Sequence, residues 1–311
     1  MQSRLRVIYR SNSHAPFWLV AGKSGMWEKN GLGVDTSPQL VREKAVDSLK
    51  NGHVDLISGN HHNLYARRAK NQEDFVHLAQ VANNWTENRM VVADGIRGTP
   101  DLRGKKVAFN KPTSHSGLNI WLFLLQEGLD VDKGEVELIP CPGSAEERWQ
   151  GVLRGEFDAT FVGVPDDMRA AQAGARVIPV RPMPMIRGVT LTTTMSFVRA
   201  HEEEIRRLIR GVVDTIHFFL TQKEQTLKIL EQHLTPLLHL ESDEEVRALY
   251  QEWAQSMERK PYPSPQAIQN VFQLALRRNP EIAGFNPIAL WDTHYVRELD
   301  DSGYIDRLYS G

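Results

Sequence analysis

Asn12, Ser13 and His14 stand together in the segment RSNSHAPF, just after an apolar run, LRVIYR, that reads as a strand. An imidazole near neutral pH moves protons, donates hydrogen bonds to carboxylate or sulfonate, and ligates metals. Pro16 suits the first turn of a helix, so these polar side chains share their turn with free backbone N–H groups. KPTSHS is a second such segment. There Thr113, Ser114, His115 and Ser116 precede a helix, and hydroxyls with N–H groups could cradle an anion; the plainer alternative is N-capping, and both can hold. A third is SGNHHN, with Asn60, His61 and His62; adjacent helical residues point about 100° apart, so only one of the two imidazoles would face a given ligand.

Other groups carry a bland reading beside the chemical one. Asp166 and Asp167 could orient a histidine or simply open a helix in solvent. Trp85 and Phe17 could stack on a planar ligand or sit in a core. Arg187, beside a long Thr-rich run, is the better counter-ion for a carboxylate or sulfonate, whereas Arg67 and Arg68 are expected to face solvent. Cys141, the only cysteine, lies between two prolines and reads as an inert half-buried thiol. No HExxH-type spacing marks a metal site, so neither a metal nor a cofactor is assigned.

The elements that must position these residues alternate. Strands are expected at Val7–Tyr9, Gly33–Thr36, Val54–Ser58, Val107–Phe109, VELIPC and ATFVG, with helices between them at about Phe17–Trp27, Val41–Lys50, Asn60–Lys70, Ser116–Gln126 and Ala145–Arg154. Phe75–Ala82 and Arg89–Ala93 read as extended runs around NNWTEN, and VTLTTTMSFV as one long strand. Such alternation implies mostly parallel sheets covered on both faces, with the loops after the strands' carboxyl ends as the candidate sites. SLKNGHVDL (48–56) and GVLRGEFDA (151–159) form a faint repeat, each joining a helix end, a Gly suited to a left-handed C-cap, and a strand beginning at an Asp. Beyond Ala200 the pattern is helical, with Ile205, Leu208, Ile209, Val212, Val213, Ile216 and Phe219 on one face. Ser242 with Glu245 reads as a capping box, and Ser264 with Pro265 as another helix start.

At 311 residues, 41% hydrophobic and 24% charged, the chain can bury a substantial core. Its net charge of −2 and lack of basic runs argue against nucleic acid and anionic membranes, leaving a small molecule or another protein as partner. No stretch could span a bilayer and the N-terminus has no export-signal pattern. The expectation is therefore cytoplasmic if the sequence is full length and periplasmic if it is a mature form, with a transporter permease as partner in the second case.

Several stretches resemble periplasmic-binding-protein-like (type 2) proteins of the SsuA and NMT1/THI5 type. These are LVAGKSGMWEKNGLGVD, SLKNGHVDLISG, DLRGKKVAFN, VLRGEFDATFVG and the ending NPIALWDTHYVRELDDSGYIDRLY, in the family's order along nearly the whole chain. The resemblance implies an α/β fold of two lobes with a helical C-terminal region: lobe I from 1–90 plus 190–311, lobe II from 91–189, and a ligand cleft between them closing by a hinge. The loops at 11–14, 59–62, 83–85, 113–116 and 163–167 would then line the cleft, gathering four of the eleven histidines. Two chemistries on this scaffold lack their residues here. The pyrimidine-synthase branch uses a lysine and a histidine after the third strand and a cysteine-rich motif, but this chain has SGNHHN and one cysteine. The aromatic sulfinate desulfinase uses a cysteine in the first loop, where this chain has Asn12, Ser13 and His14.

Two functions stay open, with a sensor or regulator as a third. One is a solute-binding-type protein for a small anionic or aromatic molecule, such as a carboxylate or sulfonate. The other is a cytoplasmic enzyme on the same scaffold, a lyase or hydrolase acting on an aromatic acid with His14, His61 or His115 as general acid or base.

Overall fold

The first strand, β1 (Arg4–Tyr9), leads into a 3-10 turn at Asn12–His14 and helix α1 (Ala15–Lys23), which carries Pro16 in its first turn. The structure, a computed structural model, describes residues 4–9, 11–37, 45–59 and 62–310. After α1 come α2 (Met26–Lys29), β2 (Gly33–Asp35), α3 (Ala45–Lys50), β3 (Leu56–Ser58), α4 (His62–Asn71), β4 (Phe75–Asn84) and β5 (Arg89–Val92). The middle of the chain supplies β6 (Lys106–Phe109), α5 (His115–Gln126), β7 (Glu137–Pro140), α6 (Ala145–Leu153), β8 (Ala159–Val162), α7 (Asp166–Gln172), β9 (Arg176–Pro179) and β10 (Pro184–Thr194). Helices then follow one another: α8 (Met195–Ala200), α9 (Glu202–Thr221), α10 (Lys223–His233), α11 (Thr235–Leu238), α12 (Asp243–Ser256), α13 (Pro265–Arg278), α14 (His294–Asp301) and α15 (Tyr304–Leu308).

The chain divides into two compact units, Met1–Asn83 with Pro184–Gly311, and Asn84–Met183. The first is built on a five-stranded sheet of order β2-β1-β3-β10-β4, and the second on one of order β7-β6-β8-β5-β9. In the first, β1 pairs in parallel with β2 and β3, and β10 runs antiparallel to β3. In the second, β6 pairs in parallel with β7 and β8, and β5 runs antiparallel to β8 and β9.

The internal repeat has a physical basis in each unit. Gly52 and Gly155 both turn the chain with positive φ, +69° and +75°, a conformation that costs any other residue. A carboxylate follows just before the next strand in each unit. Asp55 accepts from the Arg6 backbone N–H at 2.7 Å and Asp158 from that of Lys106 at 2.8 Å, pinning the start of β3 to β1 and that of β8 to β6.

The amphipathic α9 packs against α1, α2 and α14 in the first unit. Ile205, Leu208, Ile209, Val212, Val213, Ile216 and Phe219 are all fully buried, each contributing on the order of 1.5–3 kcal/mol. Gly211 admits the Trp27 ring of α2, which a Cβ at that position would meet at 2.8 Å. A buried carboxylate, Asp214, accepts from the Tyr304 hydroxyl at 2.6 Å and from Asn30 Nδ2 at 2.9 Å, with Lys29 Nζ at 3.0 Å. It thereby fastens α2 and α15 to α9.

Three local expectations are corrected. The strand expected through Val198 ends at Thr194, whose hydroxyl accepts from the Phe197 N–H at 3.2 Å and starts α8. Cap geometry there outweighs the β-propensity of the run. Arg67 does not simply face solvent: its guanidinium is tied to Glu73 and Asp47, and pulls the Glu73 carboxyl below its usual range. Ser242 does cap α12, but the Glu245 carboxylate reaches the Glu241 N–H at 2.9 Å, while a full capping box forms at Ser144 and Glu147.

Candidate functional site

The loop after β1 is shaped by its own hydroxyls. Ser11 Oγ accepts from the Ser13 N–H at 3.3 Å and from the Ser13 hydroxyl at 3.0 Å, which winds Asn12–His14 into a 3-10 turn. Asn12 is exposed, Ser13 half-buried, and His14 only 7% exposed. His14 Nδ1 lies 2.9 Å from Ser58 Oγ, and Ser58, the last residue of β3, is fully buried. β1 and β3 are neighbours in register, Tyr9 opposite Ser58, and they flank the place where the strand order reverses. Open α/β sheets bind ligands at such switch points, beyond the carboxyl ends of the strands. Sequence reasoning named His14 but missed Ser58, whose only signal was a hydroxyl closing an apolar run.

His62 opens α4 and is 8% exposed. Its Nε2 lies 3.4 Å from Arg278 Nη1; a guanidinium only donates, so the imidazole accepts there. Arg278 comes from α13, far along the chain, and nothing in the sequence links the two. Asn60 and His61 lie outside the described residues. Arg187 sits within β10, its Nη1 3.7 Å from Glu252 Oε1 in α12, so its charge already faces a carboxylate of the protein. A further histidine in this unit, His77, was not singled out by sequence. It is fully buried in β4, with Nδ1 2.8 Å from Thr192 Oγ1 and the Trp291 ring 4.7 Å away, and burial pushes its pKa down to about 3.

In the second unit the TSHS segment forms the start of α5. Ser114 is its N-cap, accepting from the Gly117 N–H at 3.0 Å while its hydroxyl donates to the Lys111 carbonyl at 2.8 Å. Ser114 Oγ and Ser116 Oγ are 3.2 Å apart; Thr113 is exposed, and Ser116 and His115 are half-buried. Gly117 permits the loop to fold onto the helix, since a Cβ there would stand 2.2 Å from the Lys111 carbonyl oxygen. His115 Nδ1 pairs with Asn119 Nδ2 at 3.3 Å. This segment follows β6, and β6 and β8 flank the order reversal of this sheet.

Asp166 begins α7 after β8, half-buried, and burial raises its carboxyl above the usual range against the pull of Arg169 and Arg148. Trp85 is 2% exposed, its ring tilted against Phe123 and Phe161 at 5.4 Å each and its Nε1–H donated to Glu87 at 3.0 Å. Those contacts make it part of this unit's core. Among the described residues no group of three or more His, Cys, Asp or Glu is placed to hold a metal ion, and no helix is long and apolar enough to cross a membrane.

Each unit thus presents a histidine beside a hydroxyl or carboxamide where its strand order reverses. Such groups can hydrogen-bond an oxyanion or pass a proton.

The family model described as NMT1/THI5 like matches residues 11–226. No curated protein sequence matches the chain. Among solved structures, the periplasmic aliphatic sulphonate binding protein SsuA from Escherichia coli is similar with a TM-score of 0.69 at 18% identity, over 91% of this chain and 94% of that one. The periplasmic sulfonate-binding protein SsuA from Methylobacillus flagellatus gives 0.71 at 12% identity, over 97% and 95%. The desulfurization enzyme DszB, in its complex with biphenyl-2-sulfinic acid, gives 0.63 at 14% identity, over 97% and 100%. At these identities the likeness is one of fold. It is the two-lobed, periplasmic-binding-protein-like (type 2) α/β fold with a helical C-terminal region that the sequence led one to expect.

Proposed function

The chain belongs to the NMT1/THI5-like family, and from that premise we propose that it binds a small anionic or aromatic organic molecule, a carboxylate, sulfonate or related oxyanion, as a solute-binding-type protein. The observation that carries this reading is the His14–Ser58 pair: a buried imidazole 2.9 Å from a buried hydroxyl, at the carboxyl ends of two adjacent parallel strands where their order reverses. What distinguishes this pair is its place at the carboxyl ends of the strands, where open α/β sheets meet ligands. The relatives' names point to the same chemical class, sulfonates for the two SsuA proteins and a sulfinate for DszB.

In this reading Asn12, Ser13 and His14 are the candidate contacts of the first unit, with Asn60, His61 and His62, which follow Ser58 closely in sequence. Thr113, Ser114, His115, Ser116 and Asp166 are the candidate contacts of the second unit. Trp85 would contribute as a wall behind the site, and Arg187 would share its charge between an anion and Glu252. The two SsuA relatives are periplasmic, and the proposal extends that compartment, with a transporter permease as partner, to this chain.

Isothermal titration with methanesulfonate, benzenesulfonate, benzoate and biphenyl-2-sulfinate tests the reading. Binding of at least one of these is expected, weakened about tenfold or more in His14→Ala, since a lost hydrogen bond to a charged group is worth roughly 1.5–3 kcal/mol. Failure of every probe to bind, or wild-type affinity in the variant, would refute it. Conversion of a bound probe to product, lost in His14→Ala, would replace binding by catalysis.

A further inference from the structure

The first turns of α5 contain a polar group that the fold leaves unmatched. Asn119 is 2% exposed, on a helix whose Leu118, Ile120, Leu122 and Phe123 are also buried. Its carboxamide reaches back one turn to His115, with Nδ2 3.3 Å from Nδ1 of the ring. The other amide atom, Oδ1, is buried and has no hydrogen-bond partner among the described residues. A buried polar atom in that condition bears its full desolvation penalty, which makes asparagine a poor choice for a purely structural position.

The location explains the choice. α5 begins just after β6, and β6 and β8 flank the reversal of strand order in this unit, where ligands meet open sheets. The capped turn of Ser114 and the close fold of Lys111 over Gly117 hold the start of the helix in place beside it. Asn119, aimed at the first residue of that helix, is therefore a second and independent sign of a ligand at the TSHS segment.

We propose that Asn119 is a ligand-recognition residue, presenting its unmatched amide atom to an oxyanion oxygen of the bound molecule. This rests on the binding reading above and names a contact which that reading lacked. The carboxamide can serve in two senses. With Nδ2 donating to the imidazole, Oδ1 accepts from a ligand hydroxyl or N–H. Turned over, Oδ1 accepts from His115 Nδ1–H, and Nδ2 donates to a carboxylate, sulfonate or sulfinate oxygen. An anionic ligand selects the second arrangement, and His115 is the positioning residue that sets it.

Asn119→Leu and Asn119→Asp test this, with benzenesulfonate as the charged probe and benzenesulfonamide as its neutral counterpart. Without a probe, Asn119→Leu should melt at or above the wild-type temperature, because it removes an unmatched group and keeps the branched shape of the side chain. With benzenesulfonate it should bind about tenfold or more weakly, and Asn119→Asp weaker still, by charge repulsion. The loss on benzenesulfonamide should be smaller in the Asp variant, whose carboxylate can accept from the sulfonamide N–H. A lowered probe-free melting temperature in Asn119→Leu would make the amide structural and overturn the proposal, as would wild-type affinity for benzenesulfonate in that variant. If the wild type takes up neither probe, the binding reading fails for this class, and probe-free melting still decides Asn119: unchanged or raised upholds an amide kept for a ligand, lowered overturns it.

Discussion

Acid should destabilise the first unit through one residue, His77. Its imidazole is fully buried in β4, bonded through Nδ1 to Thr192 Oγ1 and packed against Trp291, whose indole N–H in turn donates to the Tyr65 hydroxyl at 3.2 Å. Burial depresses its pKa to about 3, whereas an unfolded histidine titrates near about 6.5. Below the unfolded value the denatured chain binds a proton that the native chain refuses, so stability falls as pH falls. It is fully present above that value and declines by about 1.4 kcal/mol per pH unit down to the folded value. From pH 7 to pH 5 the loss integrates to about 2 kcal/mol, almost independent of the folded pKa because that lies well below 5. His77→Asn keeps an amide for Thr192 and cannot ionise. Its absolute stability will be lower, but its decline between pH 7 and 5 should be smaller than that of wild type by about 2 kcal/mol. Urea unfolding at both pH values, read by amide-exchange protection of Leu78 and Ala79 in β4, measures the difference. Parallel declines in the two proteins would refute the reasoning, as would a His77 ring resonance that titrates near pH 6.

Other outcomes are as specific. Gly117→Ala places a Cβ 2.2 Å from the Lys111 carbonyl oxygen, a backbone atom that cannot swing away. It should lower the stability of the second unit by about 1–3 kcal/mol and reduce amide protection at the start of α5; an unchanged melting curve would show that the loop yields freely. Asp214→Ala strips the acceptor from Tyr304, Asn30 and Lys29. Because Lys29 is half exposed the loss is discounted to about 2–3 kcal/mol, and protease should clip near α15 before the rest of the chain. Wild-type resistance there would mean that apolar packing alone holds that helix.

The family-like alternation of strands and helices was legible because it rests on local rules. A Gly with positive φ after a helix, a Pro in a first turn, a Ser before a helix and a period of two or 3.6 are properties of short windows, and Gly52, Gly155, Pro16 and Ser264 appear in the structure as expected. Misreadings came where two local rules competed. Around Thr194 a β-branched run met a capping hydroxyl, and the cap stopped the strand. At α12 the spacing of Ser242 and Glu245 was that of a capping box, yet the carboxylate chose the neighbouring N–H.

What the sequence determined about this protein, then, is its succession of elements, its repeat of two α/β halves and the turns in which His14 and His115 stand. The partners of those residues were decided only in three dimensions. Ser58 reaches His14 across 44 positions of sequence because β1 and β3 pair in parallel, and Arg278 reaches His62 across 216. Asn119 is within one helical turn of His115, but its unmatched oxygen is defined by everything packed around it. Backbone preferences act over a few residues, whereas desolvation and hydrogen-bond satisfaction depend on which segments the fold brings into contact.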